Sequence, residues 1–206
     1  MKGVALFSSG IDSAVAVYLM MKKEVDAVLV HCEMHDKNTE KAKKLAKHLS
    51  DIFKKDIKLY LINQSETLKE ISKNTNPRFT CNICKRMMYR LAEKIAEKEK
   101  ADFIITGENL GQVASQTLDN LAANKTAVKM EIVRPLLSWD KQETMNLAKE
   151  IGTYEISIEK APDCPFVPKH PATRAKIEQI ENEESKLDIN KLVENVLKNA
   201  KVINIK

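Results

Sequence analysis

Val4-Ala5-Leu6-Phe7-Ser8-Ser9-Gly10-Ile11-Asp12-Ser13 decides the fold. Val4 to Ser8 is a short apolar run that ends at Ser-Gly, and a helical pattern follows from Asp12 to about Lys22, with Val15 and Leu19 on one face. A strand that turns through small residues straight into a helix is where open α/β sheets hold phosphates. Gly10 permits close backbone approach, and unpaired amides at the helix start point towards an anion. Ser8 and Ser13 add hydroxyl donors, while the Asp12 carboxylate suits a magnesium ion bridging phosphates. The loop is neither Gly-x4-Gly-Lys-Ser/Thr nor Gly-x-Gly-x2-Gly. The plainer use of such residues is a Ser/Asp helix cap with a turn glycine. Placement after the first strand favours phosphate binding.

Outward from this loop, strand-like and helix-like segments alternate. Val25 to His31, Ile57 to Ile62, Ala101 to Thr106 and Met130 to Val133 read as strands. Asn38 to Lys54, Ser65 to Lys73, Asn82 to Lys98, Leu110 to Ala122 and Asp140 to Ile151 read as helices. This order predicts α/β architecture, a doubly wound parallel sheet of about five strands with helices on both faces. Ala161 to Thr173 carries four prolines and reads as an ordered loop or tether. Residues 1–180 are expected to form one domain and residues 181–206 a polar helical tail. Leu187, Leu192, Val193, Val196 and Leu197 give that tail an apolar side, for packing on the domain or for a homodimer.

The composition bounds the function. Lys plus Arg exceed Asp plus Glu by 34 to 29 in 206 residues, a mild excess compatible with nucleic acid but not diagnostic of it. No stretch is long and apolar enough for a membrane span, and the first residues do not read as a secretion signal. A cytoplasmic protein with no membrane partner is expected. Four cysteines then argue for thiols, a metal site or catalysis rather than structural disulfides.

Cys81-Asn82-Ile83-Cys84 falls near a helix start, and Cys164 lies far along the chain in Pro162-Asp163-Cys164-Pro165. The trio could be a redox pair with a bystander, an iron–sulfur site with one iron free of protein ligands, or a zinc site completed by His170 or Cys32. Cys32, which ends the second strand beside His31, reads more simply as a small core residue. Lys85, Arg86 and Arg90 after Cys84, with Lys169, His170, Arg174 and Lys176 after Cys164, are either a phosphate-binding rim or ordinary solvated surface.

The phosphate loop resembles the Ser-Gly-Gly-x-Asp-Ser loop of the PP-loop ATP pyrophosphatases, with Ser9 at the first glycine. Gly107-Glu108-Asn109-Leu110-Gly111-Gln112-Val113-Ala114-Ser115-Gln116-Thr117, Arg134-Pro135-Leu136-Leu137, Asp140-Lys141, Ile151-Gly152-Thr153-Tyr154-Glu155 and Pro162-Asp163-Cys164 follow in order. Together these blocks resemble the catalytic domain of the tRNA 4-thiouridine synthetases, the ThiI type, from residue 1 to about residue 180. The resemblance implies an adenine nucleotide alpha hydrolase-like fold and a two-step reaction. ATP adenylates the C4 oxygen of a uridine with release of pyrophosphate, and sulfur then replaces AMP. It also implies that Ser8, Ser9, Gly10, Asp12 and Ser13 hold pyrophosphate and magnesium, with Asp12, Lys141 and Cys164 catalytic. Lys141 would face the nucleotide phosphates, Gly107 and Gln112 would shape the pocket, and His31 and Cys32 would lie near adenine.

The ferredoxin-like segment, THUMP domain and rhodanese-like carrier of the family have no counterpart among these residues. Rhodanese-less archaeal members are similar in their Cys-x-x-Cys pair, which implies an iron–sulfur cluster on Cys81, Cys84 and Cys164 that handles sulfide or another sulfur donor. RNA, most simply tRNA, is the expected partner, gripped through a separate THUMP-containing protein. The alternatives are a nucleotide-binding regulatory subunit of a thiolation complex and a PP-loop enzyme acting on a small molecule.

Overall fold

The computed structural model describes all of residues 1–206. Its first half alternates as the apolar pattern requires: β1 (Lys2–Leu6), α1 (Ile11–Lys22), β2 (Asp26–Glu33), α2 (Asp36–Phe53), β3 (Ile57–Asn63), α3 (Ser65–Asn74), α4 (Thr80–Glu99) and β4 (Phe103–Thr106). Then come α5 (Leu118–Lys125), β5 (Ile132–Val133), α6 (Lys141–Glu150), α7 (Tyr154–Ile158), α8 (Ile177–Glu184), α9 (Ile189–Lys198) and β6 (Lys201–Ile205). The sheet runs β5-β4-β1-β2-β3-β6. β1 to β5 are parallel, and β6 returns antiparallel on β3 with Ile57 opposite Ile205.

Strand alternation sorts the core into two layers. Ala5, Leu29 and Leu59 face α1, α2 and α6, where they join Val15, Leu45, Leu49 and Ala148 in a cluster of 23 buried residues. Val4, Val28 and Tyr60 face the other way, against Met87, Leu91 and Ile95 of α4 and Val193 and Val196 of α9. A smaller cluster packs Ile83 of α4 against Ile71 of α3, Ala123 of α5 and Ile180 of α8. α4 is thus covered on its far side as well. No helix is long and apolar enough to cross a membrane.

Two elements differ from the sequence reading. The sheet has six strands rather than about five, because Lys201-Val202-Ile203-Asn204-Ile205 leaves the helical pattern for alternation and pairs with β3. The helix expected over Leu110 to Ala122 starts only at Leu118. Gly111 sits at φ +78°, which ends any helix there, and the Thr117 hydroxyl accepts from Asn120 N at 3.3 Å to cap the later start. Residues 114–116 form a single tight turn instead.

Candidate active site

The Ser8–Ser13 loop is braced by its own hydroxyls. Ser13 Oγ accepts from Ser8 N at 3.1 Å, and lies 2.9 Å from Ser8 Oγ and 3.0 Å from Ser8 O. Gly10 N donates to Ser8 Oγ at 3.2 Å. Ser13 is only 6% exposed, so its hydroxyl shapes the loop rather than reaching out of it. Gly10 is the N-cap of α1 and makes no side-chain cap. The amides of the first turn therefore lack a capping side chain and point where a phosphate fits.

Two later segments close on this loop. Gly107, directly after β4, packs so tightly that a β-carbon on it would fall 2.7 Å from Asp12 C and Ser13 N. Lys141 opens α6, whose start is fixed by Asp140 accepting from Gln142 N (2.7 Å) and Glu143 accepting from Asp140 N (3.0 Å). From there Lys141 Nζ reaches Asp12 Oδ1 at 2.6 Å. Residues 129 positions apart are joined at the loop by one ion pair.

These parts border a cleft of about 340 Å³ at the carboxyl ends of β1, β2 and β4. The cleft is lined by Ser8, Ser9, Gly10, Asp12 and Ser13 at one side, His31 and Cys32 at another, and Gly107 and Glu108 between. Lys141 stands just outside, paired to Asp12. Gln112 does not line the cleft; Gln116 does, because the segment after Gly111 is loop rather than helix. His31 is buried, donates from Nδ1 to Phe7 O at 2.9 Å, and burial lowers its pKa, so the ring is neutral with Nε2 bare.

Sequence reasoning gave Glu108 no role. It is 2% exposed, bound by Tyr89 Oη at 2.6 Å, Thr106 Oγ1 at 3.0 Å and Arg134 Nε at 2.9 Å, with Lys85 Nζ at 3.6 Å. Burial alone would raise its carboxyl, but the Lys85, Tyr89 and Arg134 groups outweigh this and hold it below the usual range. The available signal was the Thr-Gly-Glu step after a strand, with the cationic Lys85 elsewhere.

All four cysteines are free thiols. Cys81 and Cys84 sit in the first turns of α4, and Cys164 is exposed in the loop between α7 and α8. Burial pushes the Cys84 thiol up to about 12, with Cys32 the next cause and Cys164 and Cys81 contributing. Cys32, which accepts from Gln64 Nε2 at 3.2 Å, is likewise pushed to about 12 by burial. Burial and then Cys164 raise Cys81. Of the four, Cys32 lines the cleft, and Cys81 and Cys84 lie on α4 just ahead of its lining residues Lys85 and Met88. No three His, Cys, Asp or Glu side chains stand in metal-coordinating arrangement. Thiols are soft donors, so the chemistry of Cys81, Cys84 and Cys164 fits an iron–sulfur cluster rather than magnesium, although the three are not gathered around one. Asp12 is the hard oxygen donor suited to magnesium, and a cation there competes with the Lys141 ammonium.

The basic residues divide. Arg86 is 2% exposed and gives its guanidinium to Ala123 O, to Thr126 Oγ1 (2.7 Å) and to Glu184 (2.9 Å). Arg90 forks onto the same Glu184 at 2.6 and 2.8 Å. Neither belongs to a phosphate rim; they tie α8 to α4. Lys85 lines the cleft, and Lys169, His170, Arg174 and Lys176 remain exposed.

The comparisons with known proteins agree with this geometry. A family described as "Thiamine biosynthesis protein (ThiI)" matches residues 1–189. A probable tRNA sulfurtransferase of Thermoanaerobacter sp. (strain X514) is 43% identical over 94% of this chain and 52% of its own length. Another from Methanocaldococcus jannaschii is 42% identical over 91% of this chain and 50% of its own. The chain thus spans about half the length of these curated relatives. A crystal structure described as a 4-thiouridine synthetase–RNA complex with bound ATP superposes with TM-score 0.95 at 37% identity, over all of this chain and 55% of that one. NMN synthetase of Francisella tularensis, at 17% identity and TM-score 0.58, shares the fold alone. With the family pattern covering nearly the whole chain and relatives above 40% identity along it, the protein belongs to the ThiI family.

Proposed function

We propose that this chain carries out ATP-dependent sulfur transfer to an RNA uridine, most simply in tRNA. The observation that carries the reading is the cleft itself. It joins an uncapped phosphate loop, closed by Gly107 and the Lys141–Asp12 pair, to Cys32 and to α4, whose first turns carry Cys81 and Cys84. A nucleotide site beside sulfur suits a reaction in which one atom is activated by ATP and then replaced by sulfur.

In the first step the uridine C4 oxygen attacks the α-phosphorus of ATP, the bond to the β-phosphate oxygen breaks, pyrophosphate leaves, and the uridine N3 proton is released to solvent until sulfur replaces AMP. The loop amides and Lys141 hold the departing pyrophosphate, and Asp12 is the residue that would hold a magnesium ion, which would supply further neutralisation of phosphate charge. In the second step a sulfur nucleophile adds to C4 and the C4–oxygen bond breaks, with AMP as a far better leaving group than an oxide. The proton lost by sulfur goes to solvent or to the leaving phosphate. An iron–sulfur cluster on Cys81, Cys84 and Cys164, when bound, supplies a thiophilic iron that can carry hydrosulfide. Burial holds the Cys81 and Cys84 thiols protonated, so metal loading there releases protons. The exposure of Cys164 supports assigning it the role of meeting incoming sulfur.

Sulfide or another donor is the second substrate, and a THUMP-containing partner grips the RNA. We assign the reaction to the cytoplasm, where free thiols persist. The test is ATP–pyrophosphate exchange with and without tRNA, run beside iron and sulfide analysis of anaerobic protein. Exchange that requires tRNA, with metal lost in both Cys81→Ala and Cys164→Ala, supports the reading. Exchange driven by a small molecule instead, or no exchange at all, overturns it in favour of a small-molecule enzyme or a regulatory subunit.

A further inference from the structure

α4 turns a second chemical face to the cleft. Lys85 and Met88 line it, and Cys81 lies one turn earlier on the same side. Lys85 is the one Lys or Arg among the lining residues. Its position is built by a short chain of contacts. Gly107 touches the Asp12–Ser13 backbone, the next residue is the buried Glu108, and Lys85 Nζ stands 3.6 Å from Glu108 Oε1. That separation is an ion-pair contact, longer than a hydrogen bond. The carboxylate is already hydrogen-bonded to Tyr89, Thr106 and Arg134, so it orients the Lys85 ammonium without consuming its donors. Lys141, by contrast, stands outside the cleft lining and pairs with Asp12 at 2.6 Å.

We propose that Lys85 is a further catalytic residue, donating to phosphate oxygens of ATP from the α4 side of the cleft, and that Glu108 is its positioning residue. The inference rests on the ATP-using reading above. α1 and α4 lie on opposite faces of the sheet, so the loop amides and Lys85 approach the nucleotide from two walls. As the α-phosphorus exchanges pyrophosphate for the uridine oxygen, negative charge builds on its equatorial oxygens. A fixed ammonium in a partly enclosed cleft neutralises that charge without reorganising.

The test uses the full chain with Lys85→Met and Lys85→Arg, each checked for an unchanged melting curve. ATP and adenosine are titrated separately, and ATP–pyrophosphate exchange is timed. Loss of one hydrogen bond to a charged group predicts that Lys85→Met weakens ATP by about tenfold to a hundredfold. Adenosine binding stays as in the wild type, and Lys85→Arg restores most of the ATP affinity. Glu108→Gln moves ATP affinity in the same direction and adds little to Lys85→Met in the double variant. Unchanged ATP affinity in Lys85→Met, or equal losses for ATP and adenosine, overturns the role of Lys85. Additive losses detach Glu108 from it. Wild-type protein that binds no ATP sinks the reading of the cleft, whereas wild-type binding with an indifferent Lys85→Met sinks this inference alone.

Discussion

Gly107→Ala adds one methyl group where the structure leaves no room for it. The new carbon would fall 2.7 Å from Asp12 C and Ser13 N and 2.8 Å from Asp12 O. Carbon contacts are comfortable at roughly 3.5–4.0 Å, so β4 and the phosphate loop must part by about 1 Å. All three obstructing atoms are backbone, and no side chain can swing aside. Overpacking of this kind costs about 1–3 kcal/mol. For a domain of this size each kcal/mol lowers the melting temperature by roughly 2–4 °C. The larger effect falls on activity, because a misplacement of about 1 Å in a positioning group costs on the order of a hundredfold in rate. Thermal melting and ATP–pyrophosphate exchange measure the two separately. Gly111→Ala is the control: its φ of +78° strains any side chain, yet nothing lies within 4 Å of the added carbon. It is expected to cost about 1 kcal/mol and leave ATP affinity alone. If Gly107→Ala melts and exchanges like the wild type, or if both glycine variants lose activity alike, close approach of β4 to the loop is not what Gly107 provides.

Glu184→Gln takes the carboxylate from Arg90 and leaves Arg86 only Glu181 at 3.9 Å, and breaking a buried pair costs about 3–5 kcal/mol; an unchanged urea midpoint would show that α8 is held by its apolar contacts instead. Asn120→Ala removes one fully buried amide that binds Ala114 O, Ala172 O and Ala175 N, so limited proteolysis is expected to cut residues 161–176 faster. Cleavage at the wild-type rate refutes that anchoring. Burial would raise Glu99, but hydrogen bonds from Lys58, Tyr60 and Lys2 outweigh it and hold the carboxyl at about 2. The folded value lies below the unfolded value, so this stabilisation is complete above pH about 4.5 and is lost as pH falls towards 2. Glu99→Gln should flatten the acid limb of stability in that window, measured by urea unfolding at stepped pH, and an identical acid limb would assign the loss to other carboxylates.

The five parallel strands, most helices and the phosphate loop were legible because each carries a local signal. β-branched apolar runs mark the parallel strands, and the Ser-Gly-x-Asp-Ser step marks the loop. The blocks from Gly107 to Cys164 added the family. Local reasoning failed where a distant contact decides. Residues 110–117 have helical composition, yet Gly111 and the Thr117 cap break them, which moved a pocket role from Gln112 to Gln116. Arg86 and Arg90 looked like a basic rim because Glu184 lies far along the chain and no local pattern pairs them. Glu108 was passed over for the same reason, its partners coming from α4 and the segment after β5.

The antiparallel return of β6 also sets an order of events during synthesis. Residue 57 finds its outer partner only at residue 205, whereas the parallel pairing of β1, β2, β3 and β4 is available once residue 106 has emerged. The nascent chain therefore presents the outer edge of β3, with its Leu59 and Leu61, as an open row of amides and carbonyls for the time needed to make about a hundred more residues. Such an edge is a template for pairing with another nascent chain. Slow translation or a stall between β5 and β6 lengthens that exposure, and the last strand acts as the cover that ends it.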